Sequence, residues 1–315
     1  MKPDISVVIP AYNEGDSVGE LYRQIMESVR SMREDGLIAG CEVLFVDDGS
    51  TDGTAQRIRE LHSQDPDVHL LSLRRNFGKS TALNTGFHHV SGQIVFTMDA
   101  DLQDDPAEFP RFIRKLNEGF DLVVGWKKNR LDPLEKRLPS RLFNRVVSRF
   151  SGVKLHDHDC GFKAFRREVI EATDLYGELH RYIPVLAYRQ GFRIAEITVK
   201  HHKRAFGRSK YGAERYVRGM LDCFTTAFLL RYGDRPMYFF GKIGLLSFLA
   251  GFVICTYLSV LRFTGTKIGG RPLLVLGVML ILLGIQFFST GFIGNLLVDV
   301  SHRGLYREDH IREIL

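Results

Sequence analysis

The chain has 315 residues, 44% of them hydrophobic and 25% charged, and a formal net charge of +6. That length is enough for more than one domain, and the composition is ordinary and globular up to about residue 235. Beyond that point long apolar runs appear, so the positive excess suggests anionic lipid or phosphate partners and not nucleic acid. The four cysteines, at 41, 160, 223 and 255, have no metal-type spacing and suit a reducing compartment.

The first strand is predicted at Ile5–Ile9, ending at Pro10. The opening MKPDISVVIP has no long apolar stretch with a cleavage site, so a cytosolic N-terminal domain is expected. A helix follows at about 17–33, with Ser17 and Glu20 as a capping box and Val18, Leu21, Ile25 and Val29 on one face. Further strands are expected at 42–47, 68–73, 93–98 and 121–125, with helices at 53–63, 79–90 and about 139–150. Asp105-Pro106 reads as an N-cap and first-turn pair opening a helix to about 118. Strands alternating with helices predict an α/β fold with a mostly parallel sheet covered on both faces. In such sheets ligands sit beyond the carboxyl ends of the strands. The loops at 10–16, 47–53 and 99–105 all belong to that edge.

The common nucleotide cradles are missing. No G-x-G-x-x-G follows the first strand, and Leu73 stands where a P-loop ending in Gly78-Lys79-Ser80 would need glycine. The edge is acidic instead. In MDADLQDDP, Asp99 and Asp101 flank Ala100; in an extended strand both would point the same way, with room for a ligand over the small residue. Mg²⁺ or Mn²⁺ prefers such oxygen ligands and shares them with substrate phosphates, and Gln103 adds a neutral oxygen. A solvated acidic turn is the alternative. Asp48 is suited to accept from a nucleobase N–H, or else its loop merely caps the next helix through Ser50 or Asp52. Pro10-Ala-Tyr-Asn-Glu14 brings an aromatic face and a carboxylate to the same edge. The histidine pairs 88–89 and 201–202 lack further ligands at metal spacing.

Residues 213–232 read as an amphipathic helix lying on a membrane. Residues 243–261 and 273–298 are uncharged runs of 19 and 26 residues, each long enough to span a bilayer. Their short Gly-rich linker makes them a hairpin. Arg231, Arg235 and Lys242 before it, and Arg303 and Arg307 after it, place both flanks in the cytosol. The expected organisation is a catalytic domain at 1–212, an interfacial helix at 213–235, a hairpin at 236–300 with spans near 240–262 and 273–298, and a tail at 301–315.

VVIPAYNE, VDDGSTDGT and MDADLQDDP, in this order and spacing, resemble glycosyltransferase family two with the GT-A fold. HDHDCGFKAFRREV, HHKRAFGRSKYG and the two-span anchor resemble its polyprenyl-phosphate glycosyltransferases. The resemblance implies that Pro10, Tyr12, Glu14, Val46 and Asp48 hold the nucleoside, with Asp99, Ala100 and Asp101 completing the nucleotide-sugar site. It implies that Asp99, Asp101 and Gln103 hold Mg²⁺ or Mn²⁺ on the diphosphate, and that Asp101 and Asp157 or Asp159 are catalytic, with Asp157 preferred over Asp159 as the acceptor-side carboxylate. Ser140, Arg141, Arg204, Arg208 and Lys210 would bind the acceptor phosphate, a chemistry that suits arginine. The expected reaction is inverting transfer of one hexose to a polyprenyl phosphate at the cytosolic face of the plasma membrane. Glucose from UDP-glucose onto undecaprenyl phosphate is the first choice, before mannose and 4-amino-arabinose. A homo-oligomer is left open. A Q-x-x-R-W motif of polymerising relatives is absent, with His180-Arg181-Tyr182 in its region. A non-catalytic scaffold is opposed by the intact Asp99, Asp101 and Gln103.

Overall fold

The computed structural model describes residues 3–128, 144, 147–149, 151–173, 175, 177, 179–202, 225, 228, 231–233, 235–265 and 272–302. The chain divides into two compact units, 1–223 and 224–315.

The first unit is built on one seven-stranded sheet. Its strands are β1 (Ile5–Ala11), β2 (Cys41–Asp47), β3 (Val68–Ser72), β4 (Ile94–Thr97), β5 (Leu122–Trp126), β6 (Lys163–Arg166) and β7 (Ile194–Thr198). They lie in the order β3-β2-β1-β4-β6-β5-β7. All neighbouring pairs are parallel except those of β6, which runs antiparallel to both β4 and β5. β1 and β2 are buried almost throughout, as a central parallel sheet covered on both faces requires.

The helices are α1 (Val18–Glu34), α2 (Thr54–Gln64), α3 (Lys79–Phe87), α4 (Phe109–Asn117), α5 (Arg167–Glu171) and α6 (Ile183–Arg189). In α1 the predicted face, Val18, Leu21, Ile25 and Val29, is buried. The expected capping box does not form: the Ser17 hydroxyl donates to the Glu14 carbonyl at 3.0 Å and makes no cap bond to α1. Asp105 does cap as expected, accepting from the Ala107 N–H ahead of Pro106. Phe96, Phe109, Phe112 and Phe162 stack into one aromatic core cluster, with ring centroids 4.4–5.9 Å apart. This cluster ties the 160–163 turn to β4. Gly86 lets α3 lie close on the sheet, because a Cβ there would stand 2.5 Å from Val8 Cγ1.

The second unit holds α7 (Pro236–Phe263) and α8 (Pro272–His302), both long and apolar enough to cross a membrane. Leu246, Val253, Leu282 and Leu297 project outward, a surface that suits hydrocarbon. The two helices meet through glycines. A Cβ on Gly244 would stand 2.7 Å from the Gly284 carbonyl, and one on Gly251 would stand 2.5 Å from the Gly277 carbonyl. The pair is therefore antiparallel, with backbones as close as small residues permit.

Candidate active site

The carboxyl ends of β1, β2 and β4 carry three loops, as parallel alignment demands. The first two are sewn together. Asn13, at φ 54°, accepts the Thr51 N–H on its side-chain oxygen at 2.8 Å and donates its own N–H to Ser50 Oγ at 2.9 Å. The Glu14 N–H reaches Thr54 Oγ1 at 2.8 Å. Pro10 pairs in register with Val46, and Pro10, Tyr12 and Glu14 are all half-buried at this edge. Val46 is wholly buried beneath Gly86 of α3.

Asp48 is buried and grips the next loop. Its two carboxylate oxygens accept the N–H groups of Phe77 and Gly78 at 2.8 and 2.9 Å. Burial pushes its carboxyl above the usual range, against the pull of those two N–H groups. Gly49, at φ 69°, is required here, because a Cβ would overlap the Arg75 backbone at 2.4 Å. The grip fixes the chain immediately before Lys79, the first residue of α3.

Lys79 forms an ion pair with Asp99. Partial burial disfavours both charges, but each stabilises the other. The Asp99 carboxyl is held well below its usual range by Lys79 and then Lys127, and the Lys79 ammonium is held above its own. Gly161 lies against Asp99, where a Cβ would stand 2.7 Å from Oδ2.

Asp99 and Asp101 do not share a strand. β4 ends at Thr97, residues 100–101 form a turn, and Leu102 adopts φ 61°. Strand alternation therefore does not align the two carboxylates, contrary to expectation. Asp99 is one third exposed, whereas Asp101 and Ala100 are buried. Asp101 Oδ1 accepts the Gln103 N–H at 3.3 Å. The Gln103 carbonyl accepts the His202 N–H at 2.9 Å, and Asp104 bridges to His201, so residues 201–202 brace the acidic loop.

No group of three His, Cys, Asp or Glu side chains forms a metal cage among the described residues. What the loop offers is two carboxylates and a carboxamide, a set that suits a hard cation sharing its ligands with phosphate. The Lys79 ammonium pairs with one of these carboxylates, that of Asp99.

Opposite this loop, Glu196 of β7 holds residues 156–157. Its Oε1 accepts the N–H groups of His156 and Asp157 at 2.9 and 3.0 Å, and its Oε2 meets His156 Nδ1 at 2.7 Å. The His156 ring stacks on Trp126, centroids 4.0 Å apart. Asp157 is buried; Asp159 is part-exposed, with Arg181 Nε 3.5 Å from its Oδ1. Lys127 pairs with Asp104 at 2.7 Å, and buried Lys163 donates to the Cys160 carbonyl. Burial lowers the Lys163 ammonium and pushes the Cys160 thiol up to about 12.

The structure thus brings Asp48, Asp99, Asp101, Gln103, Asp157 and Asp159 to one edge of the first unit. Ser140, Arg141, Arg204, Arg208 and Lys210 lie outside the described residues, as does most of the interfacial helix expected at 213–235. Sequence reasoning passed over Lys79, Lys127, Lys163 and Glu196. Gly78-Lys79-Ser80 was visible only as a failed phosphate loop, and nothing local linked Lys79 to an aspartate twenty positions on.

A mixed, mostly parallel sheet with an acidic D-x-D loop at the carboxyl end of a central strand defines a GT-A-type transferase domain. Residues 6–173 match the family model for glycosyl transferase family 2. The chain belongs to that family. It is 38% identical over 312 residues to a dodecaprenyl-phosphate galacturonate synthase of Rhizobium johnstonii, covering 97% of this chain and 90% of that protein. Two solved structures share the fold. One is glucosyl-3-phosphoglycerate synthase from Mycobacterium tuberculosis with Mn²⁺ and UDP-glucose, at TM-score 0.53 and 20% identity, covering 71% of this chain and 79% of that one. The other is a mannosyltransferase from Pyrobaculum calidifontis with GDP-mannose and Mn²⁺, at TM-score 0.50 and 17% identity, covering 98% of this chain and 82% of that one.

Proposed function

We propose that this chain moves one sugar from a nucleotide sugar to a polyprenyl phosphate at the cytosolic face of a membrane. The observation that carries the reading is the 38% identity, over nearly the whole chain, to an enzyme named for a polyprenyl-phosphate product. The two apolar helices support it, because such an acceptor lives in a bilayer. For the sugar, the name of the same relative favours galacturonate. Glucose onto undecaprenyl phosphate, favoured by the motifs alone, is the second reading.

The chemistry follows from the residues at the edge. The acceptor phosphate is anionic near neutral pH and needs little deprotonation. Its oxygen attacks the anomeric carbon as the bond to the nucleoside diphosphate breaks on the opposite face, which inverts that centre. Asp99, Asp101 and Gln103 would hold a divalent cation, Mg²⁺ or Mn²⁺, which would supply positive charge to offset that developing on the leaving diphosphate. Pro10, Tyr12, Glu14, Val46 and Asp48 would form the nucleoside end. Asp48 acts there partly through the backbone it fixes at 77–78. Asp159, part-exposed beside Arg181, is better placed to meet the acceptor than buried Asp157. Ser140, Arg141, Arg204, Arg208 and Lys210 would take the acceptor phosphate.

The test is full-length protein in nanodiscs with dodecaprenyl or undecaprenyl phosphate and a panel of radiolabelled nucleotide sugars. Transfer of galacturonate to either lipid supports the first reading, and transfer of glucose alone supports the second. No lipid-linked sugar from any donor removes both.

A further inference from the structure

Two segments 100 positions apart in the chain are joined beside the site. Ser80, buried in the first turn of α3, accepts the His180 N–H on its Oγ at 3.1 Å. The same oxygen lies 2.9 Å from His180 Nδ1, a second hydrogen bond whichever of the two carries the proton. One turn further along α3, Asn84 Oδ1 accepts the Leu175 N–H at 3.1 Å. α3 therefore holds the chain at 175 and again at 180.

His180 belongs to a short 3₁₀ turn, Leu179–Tyr182. Tyr182, at the far end of that turn, is 1% exposed. Arg181 stands between these two anchors, so its backbone is fixed on both sides. Its Nε lies 3.5 Å from Asp159 Oδ1. Asp159 shares its loop with Asp157, the other acceptor-side candidate. A part-exposed ion pair is weak when a long side chain must be ordered to make it. Anchoring the backbone on either side of Arg181 reduces that cost. The same α3 begins at residues that Asp48 grips, at the donor end of the edge.

We propose that His180 is a positioning residue. Held by Ser80, it aims Arg181 at Asp159 and so ties the acceptor-side loop at 157–159 to the first turn of α3. This rests on the transfer reaction proposed above and adds to it a pair, Ser80 and His180, that acts through Arg181.

The experiment uses full-length protein in nanodiscs and compares wild type with Ser80→Ala, Arg181→Ala, the double variant, His180→Asn and His180→Gln. Transfer to undecaprenyl phosphate, from the panel donor that the wild type uses, gives kcat/KM for the lipid. Calorimetry gives the affinity for the nucleoside diphosphate of that donor with Mn²⁺. Loss of a neutral hydrogen bond corresponds to about three- to tenfold. Ser80→Ala should lower kcat/KM by that factor and change nucleotide affinity by less than about twofold. His180→Asn, whose amide stands where Nδ1 does, should keep most of the rate. His180→Gln, which reaches toward the Nε2 position, should lose it. In the Arg181→Ala background Ser80→Ala should cost nothing further, because both act through one guanidinium. Losses that multiply in the double variant would overturn the proposal, as would equal rates for His180→Asn and His180→Gln. An equal loss of nucleotide affinity in Ser80→Ala would place Ser80 on the donor and overturn it too. Ser80→Ala removes a single buried oxygen, so the double variant decides the matter even where His180→Gln fails to fold. No transfer by the wild type from any donor would instead sink the transfer reaction itself.

Discussion

Glu196 Oε2 and the ring Nδ1 of His156 lie 2.7 Å apart, and the other oxygen of the same carboxylate holds the backbone of residues 156 and 157. One side chain on β7 thereby fixes the loop that carries Asp157 and Asp159 to the site. The Trp126 ring packs against the same histidine, so the loop is held by two adjacent strands, β5 and β7.

Removing that clamp should reduce turnover more than donor binding. Hydrogen bonds to a charged group contribute about 1.5–3 kcal/mol each, so Glu196→Ala should cost a total of several kcal/mol shared between stability and positioning. We expect kcat to fall about tenfold or more, with nucleotide affinity changed by less than about threefold. Glu196→Gln, which keeps an acceptor for the backbone, should recover part of the rate. A Glu196→Ala enzyme with normal kcat would show that the loop does not need its carboxylate.

Asp101→Asn should nearly abolish transfer while thermal unfolding stays close to wild type. A phosphate-bridging cation loses a charged ligand, and the loop keeps its shape. EDTA should inactivate the wild type, and Mn²⁺ or Mg²⁺ should restore it. Full activity in EDTA would remove the cation from the mechanism.

His158 gives the first unit a pH dependence of definite sign. It is wholly buried, its Nε2 2.9 Å from Ser148 Oγ, and burial, aided by Lys163, lowers its pKa to about 4. The unfolded chain binds the proton near the ordinary histidine value of about 6.5, so it holds more protons than the folded chain below that pH. Stability is therefore full above about pH 6.5 and declines as pH falls toward 4. At pH 5 the loss from this residue should be about 2 kcal/mol. His180, half-buried beside Ser80 and lowered to about 2, acts in the same direction. The check is chemical denaturation of wild type and His158→Gln at pH 7.5 and 5. The difference between them should shrink at the lower pH by about that amount, and a constant difference would refute the assignment.

In the hairpin, Gly251→Val should force α7 from α8, because the new Cβ would stand 2.5 Å from the Gly277 carbonyl. Overpacking of this kind costs about 1–3 kcal/mol. Spin labels at Val253 and Met279 should report a longer distance between the helices in the variant, with membrane insertion preserved. An unchanged distance would mean that the glycines do not set the spacing.

Local pattern was enough to read much of this protein. Hydrophobic periodicity and alternating strands and helices located β1 to β5 and the helices between them, because burial on a parallel sheet writes itself into consecutive residues. Two uncharged runs marked α7 and α8. Acidic and glycine-rich loops at strand ends marked the edge where a ligand sits, because strand direction alone puts them there. Other features depended on which strands became neighbours. β6 inserts antiparallel between β4 and β5, and this sets Gly161 against Asp99. Lys79 meets Asp99, Asp48 caps Phe77 and Gly78, and Glu196 clamps His156 across 40 positions. A charge or a carbonyl has no periodicity to betray its partner; it pairs with whatever the sheet order brings within 3 Å. The same holds for the loop at 100–102, where a turn at Ala100-Asp101 followed by left-handed Leu102 takes Asp99 and Asp101 out of the alternation that would have aligned them. It holds also for Ser17, whose hydroxyl found the Glu14 carbonyl before the helix it was placed to cap.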